Sequence, residues 1–361
     1  MQKKDDKFEE KGLHSSMSFY HNEKIDRERW LHDVFPEWGS YLNKQIENTV
    51  VAEDSVAIWW TGACGYVIKT AQTTLMIDNY AGTSMYSEYD YCAVCRVAGA
   101  PSIDWLRVNP QVLDIFAIKR MDAEFLTHHH NDHCDVYTIN ALVANTDCKF
   151  YAPQNTVLKM KQLGVPDDRK ICVKPGDSIK FKDMEVLVLE SYDPSAFNSG
   201  HTGKEPESMD ECAVCYLLKT KAGNFLHIGD AHFSDLFKAI GDQYDIDIAF
   251  IPFGSNARGV SDKPSVFDAV RIAENLKAKI AIPMHYDNWA NSLGDPQQFA
   301  RYMKENLKGT KPIILQSGGK FEYPADSGIE FYQYPKVGSE QMGGMDWRKS
   351  KKYGEVRNWK L

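Results

Sequence analysis

The sequence predicts an α/β protein: two mixed β-sheets with helices on their outer faces. Two patterns carry this. Between residues 55 and 78 three short apolar runs are separated by turn residues, which reads as an antiparallel meander. From residue 123 strand-like runs alternate with helix-like segments, the order that lays helices over a sheet. The chain has 361 residues, of which 43% are hydrophobic and 25% charged, enough to bury a large core and too apolar for a disordered chain. The densest apolar runs, such as Ala57-Ile58-Trp59-Trp60, fall far short of the roughly 20 residues that span a bilayer. The net charge of −8 gives no electrostatic pull toward a polyanion. Neither a nucleic acid nor a membrane is an expected partner.

The elements follow in order. Residues 1–50 are expected to form a helical arm packed on the core. Its first 25 residues are polar. Trp30, Leu31, Val34, Phe35, Trp38, Leu42 and Ile46 then recur at helical spacing, and Pro36 splits them into two short helices. Strands follow from Val56, from Gly65 and over Thr74–Asp78. Residues 81–110 are irregular. Next come a strand at Ala123–Thr127, a helix at Val136–Ala144, a strand from Lys149 and a helix at Gln154–Leu163. Strands at Ser178–Lys182, Met184–Glu190, Ala213–Thr220, Asn224–Ile228, Ile246–Pro252 and Lys279–Pro283 complete the second half, with helices at Lys263–Leu276 and Pro296–Asn306. A hydrolase domain over 51–335 and a C-terminal extension over 336–361 are expected.

Eight cysteines are scattered through the chain, and the charged start MQKKDDKFEEKG has no apolar stretch behind it. Free thiols in a reducing cytoplasm are therefore expected. Cys92-Ala-Val-Cys95 and Cys212-Ala-Val-Cys215 share a spelling that could mark a four-thiolate zinc site. The second pair lies in a strand-like run, where residues three apart face opposite ways, so buried thiols are the expectation there. Trp59, Trp60 and Trp105 are expected in the core. Trp289, four residues after His285, is the one tryptophan expected near a pocket.

Four of the eleven histidines fall in Thr127-His128-His129-His130-Asn131-Asp132-His133, between an apolar strand and a helix. His128 and His130, two residues apart, can point the same way. Asp132 and His133 begin the next turn and can face a second ion. Imidazole and carboxylate together suit a divalent ion such as Zn²⁺ or Mn²⁺. Asp230, after the strand Phe225–Ile228, and His285, after Ile280–Ile282, are further candidates at strand ends. The three ends are expected on one rim, which requires neighbouring strands.

His128-x-His130-x-Asp132-His133, Asp230 and His285 together resemble the signature of the metallo-β-lactamase superfamily, with Asp78 in the place of its structural aspartate. Stretches 35–40, 112–118, 173–177, 229–232, 256–259, 282–289 and 316–321 make the resemblance closer still to its family of L-ascorbate-6-phosphate lactonases, over about residues 30–335. The resemblance implies an αβ/βα sandwich with metal at the rim between the sheets. It implies His128 and His130 on one ion, Asp132, His133 and His285 on a second, and Asp230 bridging. The superfamily's usual further histidine has no counterpart: Leu189–Asp193 stands in that place, His201 lies in a polar loop, and Asp193 becomes the substitute candidate. One or two ions are implied, Mn²⁺ by the family or else Zn²⁺.

The implied reaction opens the lactone ring of L-ascorbate 6-phosphate to 3-keto-L-gulonate 6-phosphate. A divalent metal lowers the pKa of bound water from about 15.7 to near 7, which supplies hydroxide at neutral pH. Asp132 is the candidate to orient the water and shuttle its proton. His232 is the candidate acid for the departing oxygen. Arg258 and Lys263 are candidates for the phosphate of a phosphorylated sugar lactone. Family members assemble, so a homo-oligomer is expected. Phosphodiester hydrolysis on the same metal core and a degenerate metal-binding protein stay open as alternatives.

Overall fold

The computed structural model describes residues 26–33, 40–82, 106–198, 205–256, 261–329 and 331–332. The expected extension over 336–361, Cys92, Cys95, Trp105, His201 and Arg258 lie outside them.

The first sheet grows from the expected meander. β1 (Val56–Gly62), β2 (Gly65–Lys69) and β3 (Thr74–Ile77) are antiparallel. β3 continues in parallel pairing to β4 (Ala123–Phe125), β5 (Lys149–Ala152) and β6 (Lys170–Cys172), while β14 (Lys320–Tyr323) closes the other edge against β1. The order is β14-β1-β2-β3-β4-β5-β6. In the second sheet β7 (Ser178–Lys180), β8 (Met184–Glu190), β9 (Val214–Thr220) and β10 (Asn224–His227) are antiparallel. From β10 the pairing turns parallel through β11 (Ile248–Pro252), β12 (Ile280–Met284), β13 (Lys311–Ile314) and β15 (Phe331–Tyr332). The predicted two mixed sheets are thus what forms.

β1 shows why its sequence is apolar at every step. Val56, Ile58 and Trp60 join the core with residues of the second sheet such as Tyr216, Phe225 and Phe250. Ala57 and Trp59 point the other way, into a second core with α3 (Val136–Asn145) and α4 (Gln154–Gln162). A strand covered on both faces has no polar side to show. Trp59 and Trp60 are buried, as expected of core residues. On the second sheet α6 (Leu236–Gln243), α7 (Val266–Leu276) and α8 (Pro296–Asn306) contribute Phe237, Ile272 and Phe299 to the first core. The short helix α5 (Pro194–Asn198) follows β8.

The two predicted N-terminal helices are α1 (Arg27–Asp33) and α2 (Tyr41–Asn48). They dock through fully buried Trp30 and Leu42. The Trp30 indole donates to Ala81 O at 3.2 Å, and the Trp59 indole to Gln45 Oε1 at 2.9 Å.

Three expectations change. The helix expected from Lys263 starts at Val266, because Pro264 resists helical geometry before it and the Ser265 hydroxyl caps the Asp268 amide. β6, β13, β14 and β15 were not foreseen, being two to four residues long and, in β6 and β14, part polar. The strand ends expected as neighbours on one rim are not neighbours. β4 belongs to one sheet, and β11 separates β10 from β12 in the other. The three ends meet across the sandwich.

One carboxylate ties the two sheets far from those ends. Asp247, before β11, accepts from the Asn224 amide at 2.8 Å, Lys279 Nζ at 2.7 Å and the Tyr323 hydroxyl of β14 at 2.9 Å. Burial works to raise its pKa, but these donors outweigh it and hold the carboxyl below its usual range. Its contribution is therefore present above the unfolded pKa of about 3.9 and lost as pH falls through the lower folded value. Asp247→Ala is expected to lower the unfolding free energy at pH 7 by about 1–3 kcal/mol, on the loss of these hydrogen bonds. Denaturant melts of both proteins at neutral and strongly acid pH check this: the gap should narrow on acidification.

Candidate metal centre

β4 runs into Thr127, and residues 128–133 form the loop before α3, whose amide at Thr138 is capped by the Asp135 side chain. Buried Lys159 of α4 braces this loop, donating to His129 O and to Asn131 Oδ1, both at 2.8 Å. From the second sheet come Asp230, just past β10, and His285, just past β12. Ala63 and Cys64 make the turn between β1 and β2. Ala63 O accepts from the His285 amide at 3.0 Å, and Cys64 O meets His227 Nε2 at 2.8 Å. Ala63, Asp78 and His285 all have positive φ (49°, 45° and 62°). Each costs about 1–3 kcal/mol for a residue with a side chain, a cost that structures usually concentrate at functional sites.

The side chains converge in two groups that share Asp230. His128, His130 and Asp230 place donor atoms within 4.8 Å of one another, and so do Cys64, His133, Asp230 and His285. Asp230 Oδ2 lies 3.3 Å from His133 Nε2 and 3.2 Å from His285 Nε2, while its Oδ1 lies 3.3 Å from Cys64 Sγ. Asp132 Oδ2 lies 3.0 Å from His285 Nε2 and 3.6 Å from His133 Nε2, and accepts from Asn288 Nδ2 at 3.3 Å. Asp193 Oδ2 stands 3.8 Å from His128 Nδ1, while its Oδ1 accepts from Ser195 Oγ and the Ala196 amide. Every predicted ligand position is therefore at this junction.

The donors fit a cation better than they fit one another. His128 Nε2, His133 Nε2, both nitrogens of His285 and Asp193 Oδ2 are buried with no well-formed hydrogen bond among the described residues, despite the nearby carboxylates. Buried polar atoms are rarely left so, and such a cluster is what an ion would satisfy.

The electrostatics say the same. Burial opposes charge on His285 and His133, but Asp230 and Asp132 overcome it, raising His285 to about 9 and His133 well above the ordinary imidazole value. Burial works against ionising Asp132, yet His133 and His285 draw it down to about 2. Asp230 is likewise held low against burial, by His285 and His133. His128, buried and beside His133 and His130, is pushed well below the usual value. Burial, then the charge of Asp230, lifts Asp193 to about 7. Burial and Asp230 push the Cys64 thiol up.

Asp78 orients this array. It accepts from the Thr127 amide at 2.8 Å and the Thr127 hydroxyl at 2.6 Å, and it lies 2.9 Å from His133 Nδ1, which turns His133 Nε2 toward the shared centre. Gly229, at φ +57°, passes so close to Thr127 that a Cβ would sit 2.7 Å from its hydroxyl.

Other expected residues are placed as follows. His232 is half-buried, its amide donates to Tyr192 O, and its Nε2 has no hydrogen-bond partner among the described residues. Lys263 is 1% exposed, pairs with Asp262 at 2.5 Å and sits 4.8 Å above the Trp289 ring, which packs 5.7 Å from His285. Trp289 is thus beside the site, as expected. Cys212 and Cys215 are buried as expected, in separate apolar clusters, but Cys212 lies in the turn before β9 and not in the strand expected to carry both. Sequence reasoning missed Cys64 and Asn288. A lone cysteine in a Gly-Ala-Cys-Gly turn carries no ligand spacing, and only the neighbourhood of Asn288 to His285 could have drawn notice.

Asp78→Asn is expected to leave the fold intact and weaken divalent-metal binding by about 10–100-fold, the usual cost of losing an outer carboxylate on a ligating imidazole. Calorimetric titration of both metal-free proteins with Zn²⁺ or Mn²⁺ checks it; equal affinities would remove Asp78 from the centre.

Comparison with known proteins agrees with this geometry. Residues 100–286 match the family model for the β-lactamase superfamily domain. The chain is 40% identical over 332 residues to the "Probable L-ascorbate-6-phosphate lactonase UlaG" of Salmonella choleraesuis (strain SC-B67), covering 87% of this chain and 94% of that one. Among solved structures, Igni18, a metallo hydrolase of Ignicoccus hospitalis, superposes with a TM-score of 0.54 at 15% identity, over 74% of this chain and 98% of that one. An isothiocyanate hydrolase from Delia radicum gut bacteria gives 0.56 at 12% identity, over 73% and 98%. With its paired sheets, its carboxylate-linked histidine groups and this similarity along nearly its whole length, the chain belongs to the metallo-β-lactamase superfamily and is a metal-dependent hydrolase.

Proposed function

We propose that the protein opens the lactone ring of a phosphorylated sugar lactone, with L-ascorbate 6-phosphate the substrate and 3-keto-L-gulonate 6-phosphate the product. The observation that carries hydrolysis is the pair of imidazole groups sharing Asp230. The 40% identity to the UlaG relative is what supports this substrate over other esters. His128, His130 and Asp193 would hold one divalent ion, and His133, His285 and Asp132 a second, with Asp230 between them. Mn²⁺ or Zn²⁺ in that place supplies an acidified water and a polarised carbonyl.

The chain's own residues do the rest. Asp132, steadied by the Asn288 amide, orients the attacking water and takes its proton. Addition of water to the ring carbonyl is followed by cleavage of the acyl C–O bond, and His232 gives a proton to the departing ring oxygen. Lys263 is a buried ammonium beside the centre, suited to a phosphate. Binding there must draw it from Asp262. Arg258 lies outside the described residues and completes the phosphate subsite in this reading. The enzyme acts in the cytoplasm on a small molecule, as a homo-oligomer. Residues 51–335 form its hydrolase domain and 1–50 its N-terminal arm, of which α1 and α2 dock on the core.

Incubation of the Mn²⁺-loaded protein with L-ascorbate 6-phosphate is expected to abolish the enediol absorbance. Asp132→Ala should lower kcat by about 100-fold or more. Lys263→Met should raise KM by about 10–100-fold with a smaller change in kcat, as loss of a charged hydrogen bond to the substrate would. No turnover by a protein with metal confirmed bound would sink the named substrate. An unchanged KM would take Lys263 out of the phosphate subsite.

A further inference from the structure

We propose that Cys64 is a sulfur ligand to the ion held by His133, Asp230 and His285, so that this position prefers a thiophilic metal. The inference rests on the metal-centre reading above and replaces Asp132 by sulfur among the donors of that ion.

The geometry has three parts. Cys64 is fully buried, and its Sγ lies 3.3 Å from Asp230 Oδ1, beside the other oxygen's contacts to His133 at 3.3 Å and His285 at 3.2 Å. Ligand atoms around one tetrahedral zinc, with bonds of about 2.0–2.3 Å, stand roughly 3.3–3.6 Å apart. The two separations from Asp230 Oδ2 already approach that spacing, the sulfur sits as close to the other oxygen of the same carboxylate, and all four donors fall within 4.8 Å of one another. Second, His133 Nε2 and His285 Nε2 are buried without a hydrogen bond among the described residues, so the space between them and the sulfur is bounded by unsatisfied nitrogens. Third, the turn that carries Cys64 is held in place: Ala63 takes the His285 amide through its carbonyl, Cys64 O contacts His227 Nε2, and Ala63 N donates to Asp287. The sulfur is presented by rigid backbone on both sides.

The chemistry follows from the donor type. The thiol now donates its proton to Asp230. On metal binding that proton leaves to solvent and the thiolate takes the coordination position. Sulfur favours Zn²⁺, Co²⁺ or Cd²⁺ over Mn²⁺, which the all-oxygen and imidazole donors alone would not decide. Sulfur takes the fourth position of this ion in place of Asp132, whose carboxylate then serves only the water and its proton.

Cobalt substitution tests this without turnover. Metal-free protein, kept reduced and titrated with Co²⁺, is expected to show visible ligand-field bands together with an intense near-ultraviolet thiolate-to-cobalt band. Cys64→Ser should lose the near-ultraviolet band and keep the visible ones. The same variant should weaken Cd²⁺ binding by about tenfold or more, at least what loss of an outer partner costs, while Mn²⁺ affinity changes little. Visible bands without the near-ultraviolet band in the unaltered protein, or a band that survives in Cys64→Ser, would overturn the sulfur ligand and leave the metal centre standing. Failure to bind Co²⁺ at all would overturn the metal centre itself, and Cys64 with it.

Discussion

The structure turns on a concentration of buried charge at one point between two sheets. Asp78, Asp132, Asp193 and Asp230 are almost wholly buried against the imidazoles of His128, His133 and His285. Taking carboxylates out of water is expensive unless opposite charge comes with them. The protein supplies part of that charge through His133 and His285, whose pKa values rise because the acids surround them. It leaves a remainder at the centre: imidazole nitrogens and Asp193 Oδ2, buried without hydrogen bonds among the described residues. A bound divalent cation is the simplest charge that answers both surpluses.

Everything around that point serves to hold it still. Thr127 is the hub. Its amide and hydroxyl bind Asp78, which faces His133, and Gly229 leaves it room that any side chain would take. The positive φ angles at Ala63, Asp78 and His285 place strain where side-chain direction matters. Such strain persists only when the surroundings over-determine it, and the two cores on either face of β1 provide that rigidity.

Asp230 also explains how two groups of donors act as one site. It is the member common to both, with one oxygen toward the imidazoles of His133 and His285 and the other toward Cys64. Its position depends on β10, a central strand with antiparallel pairing on one side and parallel pairing on the other. Parallel pairing from β10 through β12 puts the ends of these strands on the same side of the sheet, where Asp230 and His285 meet the loop after β4.

The sequence by itself determined the strands and helices whose apolar period is long and unambiguous, such as β8 and α8, both of which form at the predicted residues. It also determined the histidine loop, because four imidazoles and a carboxylate in seven residues leave few other readings. Short or part-polar edge strands such as β6 and β14 carry too few residues for a period to show. Tertiary structure alone decided that β4, β10 and β12 converge across the sandwich instead of along one edge, since strand order is a long-range property that local pattern does not encode. It alone brought Cys64 to Asp230 from 166 positions away and set Asn288 on Asp132. Neither residue has a ligand-like spacing of its own; each becomes chemically significant only through the close packing of one sheet on the other.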